Sequence, residues 1–402
     1  MQSQAVSKTW RSSAWILAAL VALTSVGAAQ KYQQTNLDSD IQGLALNPPN
    51  TAPDAKLLNP WGIATPPGGP IWVSDNNAGV STLYDGAGDL QKLVVNIPSP
   101  VSGTPGTPTG VVFTGASGFQ FTEKGNPTPI GATFTFVTED GTIVAWLPGL
   151  APTDLPNDAV VVVDNSRNPT ADTGAVYKGA TTAKIGNNSF LYVTNFRAGR
   201  IEVYDTNFQP VSLDEDGDKD SDGAFQDHEI PPGFAPFNVQ EVNGDLYITY
   251  AKQNSAKHDD FDAPGLGFVD KFSSSGKLLQ RLERGPWLDA PWGVALAPAN
   301  FGFFGNHLLI GNAGSGQIAV YDPTTGRFDG LLRDGAGHAL QNQRLWALHF
   351  SDGIPPKKGG PPLQGPANTL FFTAGVNDES DGLFGTITPA DKATPEANRD
   401  DR

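Results

Sequence analysis

The sequence predicts an all-β protein: a six-bladed β-propeller of four-stranded blades, with the last blade closed by the N-terminal strand. The first observation is that Pro-Trp-Gly-(Ile/Val)-Ala recurs at 60–64 and 291–295, each time heading a group of short strands. The second is that 46 Gly and 33 Pro separate short β-branched and aromatic runs, as expected for many tight turns. The third is that no window after the N-terminus keeps helical periodicity over three turns.

Residues 1–29 are predicted to be a secretory signal peptide. Lys8 and Arg11 supply the positive region, residues 14–26 are apolar, and Gly27-Ala28-Ala29 offers small residues for cleavage, so the mature chain is expected to start near Gln30. A secreted or periplasmic location follows, with an uncleaved anchor as the alternative. The sequence has no cysteine, which excludes disulfides, thiolate metal sites and a cysteine nucleophile.

The repeat is clearest at 290–326, where strands are predicted at 292–297, 308–311 and 317–321. Phe237, Trp292 and Trp346 recur about 55 residues apart, which fits propeller repeats once loops are included. The aromatic residue at this position is expected to pack between blades, the alternative being a role in stacking a ligand. The six predicted units span 61–96, 110–164, 182–225, 236–282, 292–332 and 345–388.

The sixth unit lacks a fourth strand, while residues 31–39 form a strand-like segment without a unit. An open ring would leave a long exposed strand edge, so this segment is predicted to complete the last blade. The propeller then occupies 30–388, followed by a disordered polar tail at 389–402. Two stacked β-sandwiches also fit the length, but they give no reason for the recurring Trp-Gly motif.

The net charge is −16 and the isoelectric point is near 4.6. Nucleic acids and anionic membrane surfaces need a basic face, so both are excluded as partners, and no apolar stretch after the signal is long enough to span a membrane. A protein, a glycan or a small molecule is the expected ligand of a monomeric propeller. Long irregular insertions at 98–108, 117–129, 253–264 and 353–366 suit binding through loops.

Several segments resemble an uncharacterised family of exported bacterial β-propellers that often carry a PEP-CTERM sorting tail. They are 32–40, 59–64, 73–79 (Val-Ser-Asp-Asn-Asn-Ala-Gly), 233–240 (Gly-Phe-Ala-Pro-Phe-Asn-Val-Gln), 290–298 and 382–385 (Gly-Leu-Phe-Gly). The resemblance implies a six-bladed, TolB-like or NHL-like propeller, and it brings no established activity or catalytic residue. The chain has no apolar run with a basic cluster after Thr388, so free release after export is expected.

Aligning the units on their second strands brings four oxygen-bearing side chains to one position: Asp75, Glu139, Asn195 and Asn312. Carboxylate and amide oxygens are the ligands that Ca²⁺ prefers. If the strand ends face the channel, this ring resembles the metal site of calcium-dependent lactonases and gluconolactonases, where the metal polarises a carbonyl group. The alternative is that these side chains cap the turns that follow them.

A second candidate calcium site lies in the acidic run that begins at Asp214. Asp218, Asp220 and Asp222 take positions 1, 3 and 5 of a twelve-residue calcium loop, and Glu229 takes position 12. No amphipathic helix flanks this run, because two prolines follow at 231 and 232. The alternative is a solvated acidic insertion.

None of the five histidines forms an HxH or HExxH pair, so the sequence carries no local signal for a histidine metal site. His349 alternates within 345–350 and is expected to pack in a strand. His258 lies beside Asp259, Asp260 and Asp262 in a loop and is a candidate for a surface cation site.

Two functions follow from these observations. The favoured one is a non-enzymatic exported propeller that binds its ligand through the loops of one face. The alternative is a calcium-dependent hydrolase of the lactonase type, although no histidine lies in the matching loops to act as a base.

Overall fold

The structure, a computed structural model, describes residues 31–390 except 48–51, 116–117, 124–125, 151–157, 169, 171, 214–222 and 358. Six four-stranded antiparallel sheets follow one another as blades around a central channel. The inner strands of neighbouring blades are in contact, and the inner strand of the sixth blade contacts that of the first. The predicted six-bladed propeller is confirmed.

The first three blades follow the predicted order from the inner to the outer strand. The strands of blade 1 are Pro60–Ala64, Ile71–Asp75, Val80–Tyr84 and Val95–Asn96. Those of blade 2 are Pro108–Phe113, Phe134–Thr138, Thr142–Trp146 and Val160–Asp164. Those of blade 3 are Tyr177–Ile185, Asn188–Asn195, Arg200–Tyr204 and Pro210–Val211.

The last three blades have the same arrangement, and the sixth takes its outer strand from the start of the chain. The strands of blade 4 are Phe234–Val242, Asp245–Lys252, Gly267–Ser273 and Leu278–Arg281. Those of blade 5 are Pro291–Leu296, Leu308–Asn312, Ile318–Tyr321 and Phe328–Leu331. Those of blade 6 are Leu345–Phe350, Leu370–Ala374, Leu383–Pro389 and Tyr32–Ser39.

The N-terminal strand closes the ring as predicted. It pairs antiparallel with the third strand of blade 6, from Tyr32 opposite Pro389 to Ser39 opposite Leu383. The Tyr32 hydroxyl donates to the carbonyl of Phe301 (2.9 Å), which ties the closing strand to blade 5 as well. The edge that the sixth sheet would otherwise expose is therefore paired.

Two short elements lie outside the blades. A 3₁₀ helix at Gly302–Phe304 is the only helical element in the described part of the chain, and no helix there is long and apolar enough to cross a membrane. The insertion predicted to be irregular at 117–129 instead contains a β-hairpin, Gln120–Glu123 with Asn126–Gly131. The hairpin forms because alternate aromatic side chains, Phe119 and Phe121, are buried against the blades.

The recurring Trp-Gly motif is explained by the close approach of inner strands. A Cβ atom on Gly62 would lie 2.5 Å from the carbonyl oxygen of Thr109 in blade 2, and one on Gly293 would lie 2.6 Å from that of Trp346 in blade 6. Only glycine fits at such a distance. Each inner strand also shifts register near its start, which bends the strand and redirects its side chains.

The aromatic side chains at the register shifts of four inner strands pack across the channel axis together with Phe196, and not merely between neighbouring blades as the sequence suggested. The register shifts turn them inward, and they form a buried cluster that we call the aromatic floor. Trp61 and Trp346 stack with ring centroids 3.6 Å apart, and Trp292 meets both edge-on. No member is more than 4% exposed. The aromatic floor consists of Trp61, Phe196, Phe237, Trp292 and Trp346.

Buried carboxyl groups make the free energy of unfolding depend on pH. Burial raises the pKa of Asp38 and of Asp289 to about 6, and that of Asp270 to about 7. An unfolded chain releases these protons near pH 4, so between about pH 4 and pH 7 the folded state holds protons that the unfolded state has lost. Stability therefore falls as pH rises through this window. His349 opposes this trend, because burial lowers its pKa to about 4.

We expect the thermal unfolding midpoint to be higher near pH 5 than near pH 7, because three carboxyl groups outweigh one histidine. Asp270→Asn is expected to flatten this slope, since it removes the group whose pKa is raised furthest among the three. The exposed Asp172→Asn is the control and keeps the slope. Calorimetry across this range checks the expectation, and a midpoint that rises from acid to neutral pH contradicts it.

Candidate ligand-binding site at the channel mouth

Polar and charged side chains from all six blades meet at one end of the channel, which we call the channel mouth. At this end each inner strand begins and each second strand finishes, so the loops that enter the blades lie beside the loops that follow the second strands. These side chains are Asn59, Asn76, Glu139, Lys178, His258, Asp259, Asp260, Asp262, Asp289, Arg344 and Glu379.

Lys178 takes the place of a tryptophan in blade 3. Tyr177 pairs with Asn195 as Pro60 pairs with Asp75 in blade 1, so Lys178 is the equivalent of Trp61. Its side chain is only 1% exposed. The ammonium nitrogen lies 4.9 Å from the centroid of the Trp61 ring, which places a cation against the aromatic floor.

Two carboxylates hold this ammonium group. Lys178 Nζ donates to Glu139 and lies 3.3 Å from Asp259 Oδ1. Burial alone would lower the pKa of Lys178, but the charges of Glu139 and Asp259 outweigh it and keep this pKa above its usual value. Burial likewise opposes ionisation of Asp259, whereas its hydrogen bond to His258 and the charge of Lys178 hold its pKa below the ordinary range. Lys178 is therefore a buried cation held between Glu139, which is largely buried, and Asp259, which is 54% exposed.

Arg344 forms a second charged cluster on the other side of the mouth. Its guanidinium lies 3.0 Å from Asp260 Oδ2, 3.7 Å from Asp262 Oδ2 and 2.8 Å from Glu379 Oε1. It also lies over the Trp346 ring at 5.8 Å. Burial would lower the pKa of Arg344, but these carboxylates raise it. Both cations of the mouth therefore rest on the aromatic floor and are surrounded by acids.

The backbone that leads into the inner strands is left-handed in three blades. Asn59, Ala290 and Arg344 have φ angles of 46°, 47° and 51°. Such conformations are unfavourable for residues other than glycine. They turn the chain sharply at the mouth, so the Arg344 side chain lies over the channel.

The predicted ring of four ligands is only partly aligned in the structure. In blade 2, Thr138 pairs with Pro108 as Asp75 pairs with Pro60 in blade 1. Glu139 therefore lies one residue beyond the aligned position. Because side chains alternate along a strand, this offset directs Glu139 to Lys178 at the mouth, away from the direction of its predicted partners.

The other three predicted ligands bind groups of their own loops or of adjacent segments. Asp75 is fully buried, and its Oδ2 accepts from the Thr82 hydroxyl (2.7 Å). Asn195 Oδ1 accepts from the Ala198 amide (3.1 Å), and Asn312 Oδ1 accepts from a backbone amide of the preceding loop (2.9 Å). The amide oxygens of both asparagines are thus engaged in capping.

Of the four predicted ligands of the twelve-residue calcium loop, only the last, Glu229, is among the described residues. Asp218, Asp220 and Asp222 lie outside the described residues. Glu229 is 83% exposed, and its Oε2 accepts from Arg281 at 2.7 Å. The twelfth position of the motif therefore has a cationic partner within the chain.

His258 belongs to a group of possible metal ligands at the mouth. It lies 2.8 Å from Asp259, and one ligand atom from each of Glu139, His258 and Asp259 fall within 4.8 Å of one another. This is the only such group among the described residues. Lys178 already bonds to two of its three members.

The channel below the aromatic floor is almost filled. A cavity of about 30 Å³ remains there, bordered by inner-strand residues such as Gly62, Gly110, Ala180 and His349. This volume holds about one or two water molecules. His349 lies in this region and forms a 2.9 Å hydrogen bond with Thr65. The channel below the floor therefore has no room for a ligand of ordinary size.

Sequence reasoning missed Lys178, Arg344 and Glu379. A signal for the first existed, because Gly179 follows Lys178 as Gly62 follows Trp61, but the predicted third unit began too late to include it. No comparable signal marks Arg344 or Glu379, whose roles depend on loops from different blades meeting.

Comparisons with known proteins support the fold and leave the activity open. No protein-family model matches the chain. Uncharacterized protein L690 of Acanthamoeba polyphaga mimivirus is 29% identical over 341 residues, covering 83% of this chain and 81% of that protein. This relative is viral, so the resemblance to an exported bacterial family stays a prediction.

Two solved structures align over 89% of this chain with a TM-score of 0.50. One is an α-L-arabinofuranosidase mutant from Fusarium graminearum in complex with an iminosugar inhibitor, 9% identical and covered over 98% of its length. The other is a protein of unknown function from Bacteroides thetaiotaomicron, 9% identical and covered over 76%. At such identities the likeness shows the fold alone.

Proposed function

We propose that this chain is an exported binding module whose ligand docks across the channel mouth. The observation that carries the proposal is the meeting of charged side chains from several blades above a closed aromatic floor. Export is part of the proposal and rests on the signal-like segment at 1–29.

The mouth has the rigidity that a binding surface needs. Lys178 and Arg344 are largely buried, and each is fixed by at least one carboxylate from another blade. The Arg344 cluster is also tied to the floor, because Asn59 accepts from the Trp346 indole (3.0 Å) and donates to Glu379 (3.1 Å). Groups held in this way lose little conformational entropy when a ligand binds.

The rim of the mouth adds an apolar contact. Phe261 is 55% exposed in the loop that carries Asp259, Asp260 and Asp262. An exposed aromatic ring beside ordered polar groups is typical of binding surfaces for peptides and sugars. Phe303 is 58% exposed at the opposite end of the propeller, in the loop after the inner strand of blade 5.

Arrays of glycans and of random-sequence peptides, probed with the labelled mature protein, test the proposal. We expect Phe261→Ala to reduce the bound signal about tenfold, because removal of an aromatic anchor from a binding surface costs about 1–2 kcal/mol or more. Phe303→Ala is the matched control and keeps the signal. Equal losses in the two variants, or a loss in the control alone, would place binding elsewhere.

The alternative is metal-dependent hydrolysis of the lactonase type, which the grouping of Glu139, His258 and Asp259 favours. A metal ion at this point would compete with Lys178 for both carboxylates. Metal analysis of the purified protein, before and after chelation and reloading with Ca²⁺, separates the two functions. One ion that is bound by the wild type and lost in Glu139→Gln supports the alternative. Wild type and variant that are both free of metal support the binding module.

A further inference from the structure

One sector of the channel mouth combines carboxylates with an unsatisfied buried oxygen. Asp289 of blade 5 is only 6% exposed, and its Oδ1 atom has no hydrogen-bond partner in the described part of the chain. Its backbone amide is held by Asn312 (2.9 Å), which fixes the residue in place. A buried, unpartnered carboxylate oxygen is costly unless a donor or a cation reaches it.

This oxygen faces the loop of blade 4 that carries Asp259, Asp260 and Asp262. A Cβ atom on Gly314 would lie 2.3 Å from Asp289 Oδ1 and 2.7 Å from the Cβ of Asp262. Both side chains therefore pack against the same side of Gly314, where a larger residue would collide with both. Burial and the charges of Asp262 and Asp260 raise the pKa of Asp289 to about 6, while Arg344 opposes the shift.

Among the described residues, the acids of this sector outnumber the cations beside them. Arg344 is the cation nearest to Asp262, at 3.7 Å, and it already bonds to Asp260 and Glu379 at shorter distances. Asp262 is 45% exposed, so it is reachable from solvent. One positive group added between Asp262 and Asp289 would satisfy the unpartnered oxygen and offset the excess negative charge.

Lys178 shows how this protein already holds an ammonium group between two acids. Its ammonium lies between the carboxylates of Glu139 and Asp259 and against an aromatic ring. Asp289 and Asp262 repeat the pair of acids, and the exposed ring of Phe261 is next to Asp262 in sequence. A methylene chain can lie along an exposed ring while its ammonium group reaches the acids.

A hard metal ion suits this sector less well. Ca²⁺ takes six to eight oxygen ligands, whereas no group of three His, Asp or Glu ligand atoms within 4.8 Å of one another includes Asp289 among the described residues. An ammonium group has three donors, and the carboxylates of Asp262 and Asp289 can accept from two of them.

We propose that Asp289 and Asp262 bind a primary ammonium group of the ligand, supplied by a lysine side chain or by a free diamine. This inference rests on the proposed function, since it names the chemistry that the channel mouth recognises.

Calorimetric titration of the mature protein at low ionic strength tests it. The probes are the N-acetylated peptide Gly-Gly-Lys-Gly-Gly, the same N-acetylated peptide with norleucine in place of lysine, 1,5-diaminopentane and calcium chloride. We expect the lysine peptide or the diamine to bind and the norleucine peptide to show at least about tenfold weaker binding, because a charge-assisted contact is lost. The two amine probes distinguish a side chain from a free amine.

Asp289→Asn and Asp262→Asn are each expected to weaken amine binding about tenfold or more. Asp262 is half exposed, so its variant keeps the test valid if the buried substitution impairs folding. Asp329→Asn, in the outer strand of the same blade, is the control and stays within about twofold. Affinity is also expected to rise between about pH 5 and pH 7 as Asp289 ionises.

The inference is overturned if neither amine binds, if norleucine replaces lysine without loss, or if Asp262→Asn and Asp289→Asn match the control. Calcium binding that both variants abolish overturns it in favour of a metal site. If Phe261→Ala reduces binding on the arrays while no amine binds, the proposed function stands and only its cationic chemistry is wrong. If no variant at the channel mouth reduces either the array signal or amine binding, both this inference and the proposed function are rejected.

Discussion

Deletion of residues 31–39 is expected to abolish the cooperative unfolding transition of the propeller. Tyr32 and Leu37 of the closing strand are 2% and 5% exposed. Removing buried side chains of these sizes costs about 3–5 and 2–5 kcal/mol, which together approach the whole stability of a typical domain, about 5–15 kcal/mol. The deletion also exposes the unpaired edge of Leu383–Pro389, so we expect aggregation.

Chemical unfolding followed by tryptophan fluorescence measures this effect. Tyr32→Ala is the milder variant, and we expect it to lower the free energy of unfolding by about 3–5 kcal/mol, because it removes a buried aromatic side chain. The substitution also removes the hydrogen bond to Phe301. Leu46→Ala, at a side chain that is 70% exposed, is the control and changes stability by less than about 0.5 kcal/mol. Adding a peptide of residues 31–39 in trans should restore part of the transition. A truncated chain that unfolds like the full one would show that the ring does not depend on this strand.

Lys178→Met is expected to destabilise the fold by about 3–5 kcal/mol, because it leaves Glu139 largely buried without its cation. Replacing both partners, in Lys178→Met/Glu139→Gln, is expected to recover much of this loss, since no buried carboxylate is then left without its cation and Asp259 is half exposed to solvent. Urea unfolding of the four proteins of this double-mutant cycle gives the coupling free energy.

Lys271→Met is the matched control for this cycle. Lys271 forms a 2.7 Å ion pair with Asp245, but both side chains are about a quarter exposed, and such pairs contribute about 0–1 kcal/mol. If Lys178→Met costs no more than Lys271→Met, the buried cluster at the mouth is not an ionic one at neutral pH.

The site was harder to predict than the fold because its members are distant in sequence. Glu139 was predicted to point at the same centre as Asp75, Asn195 and Asn312, but a one-residue offset turns its side chain to the other face of the strand, toward Lys178. His258 and Asp259 were recognised as a possible cation site, whereas Lys178, their actual partner, lies about 80 residues away and was assigned to no strand.

Local patterns alone determined the architecture of this protein. Strand-length β-branched runs, glycine-rich turns and a sixth unit short of one strand are local features, and ring closure follows because an unpaired edge is unfavourable. Only the tertiary structure decided what lies at the channel mouth. The inward turn of the aromatic floor, the burial of Lys178 on Trp61 and the unpartnered oxygen of Asp289 all depend on register shifts and on loops of different blades meeting at one point. No single stretch of sequence encodes those distances.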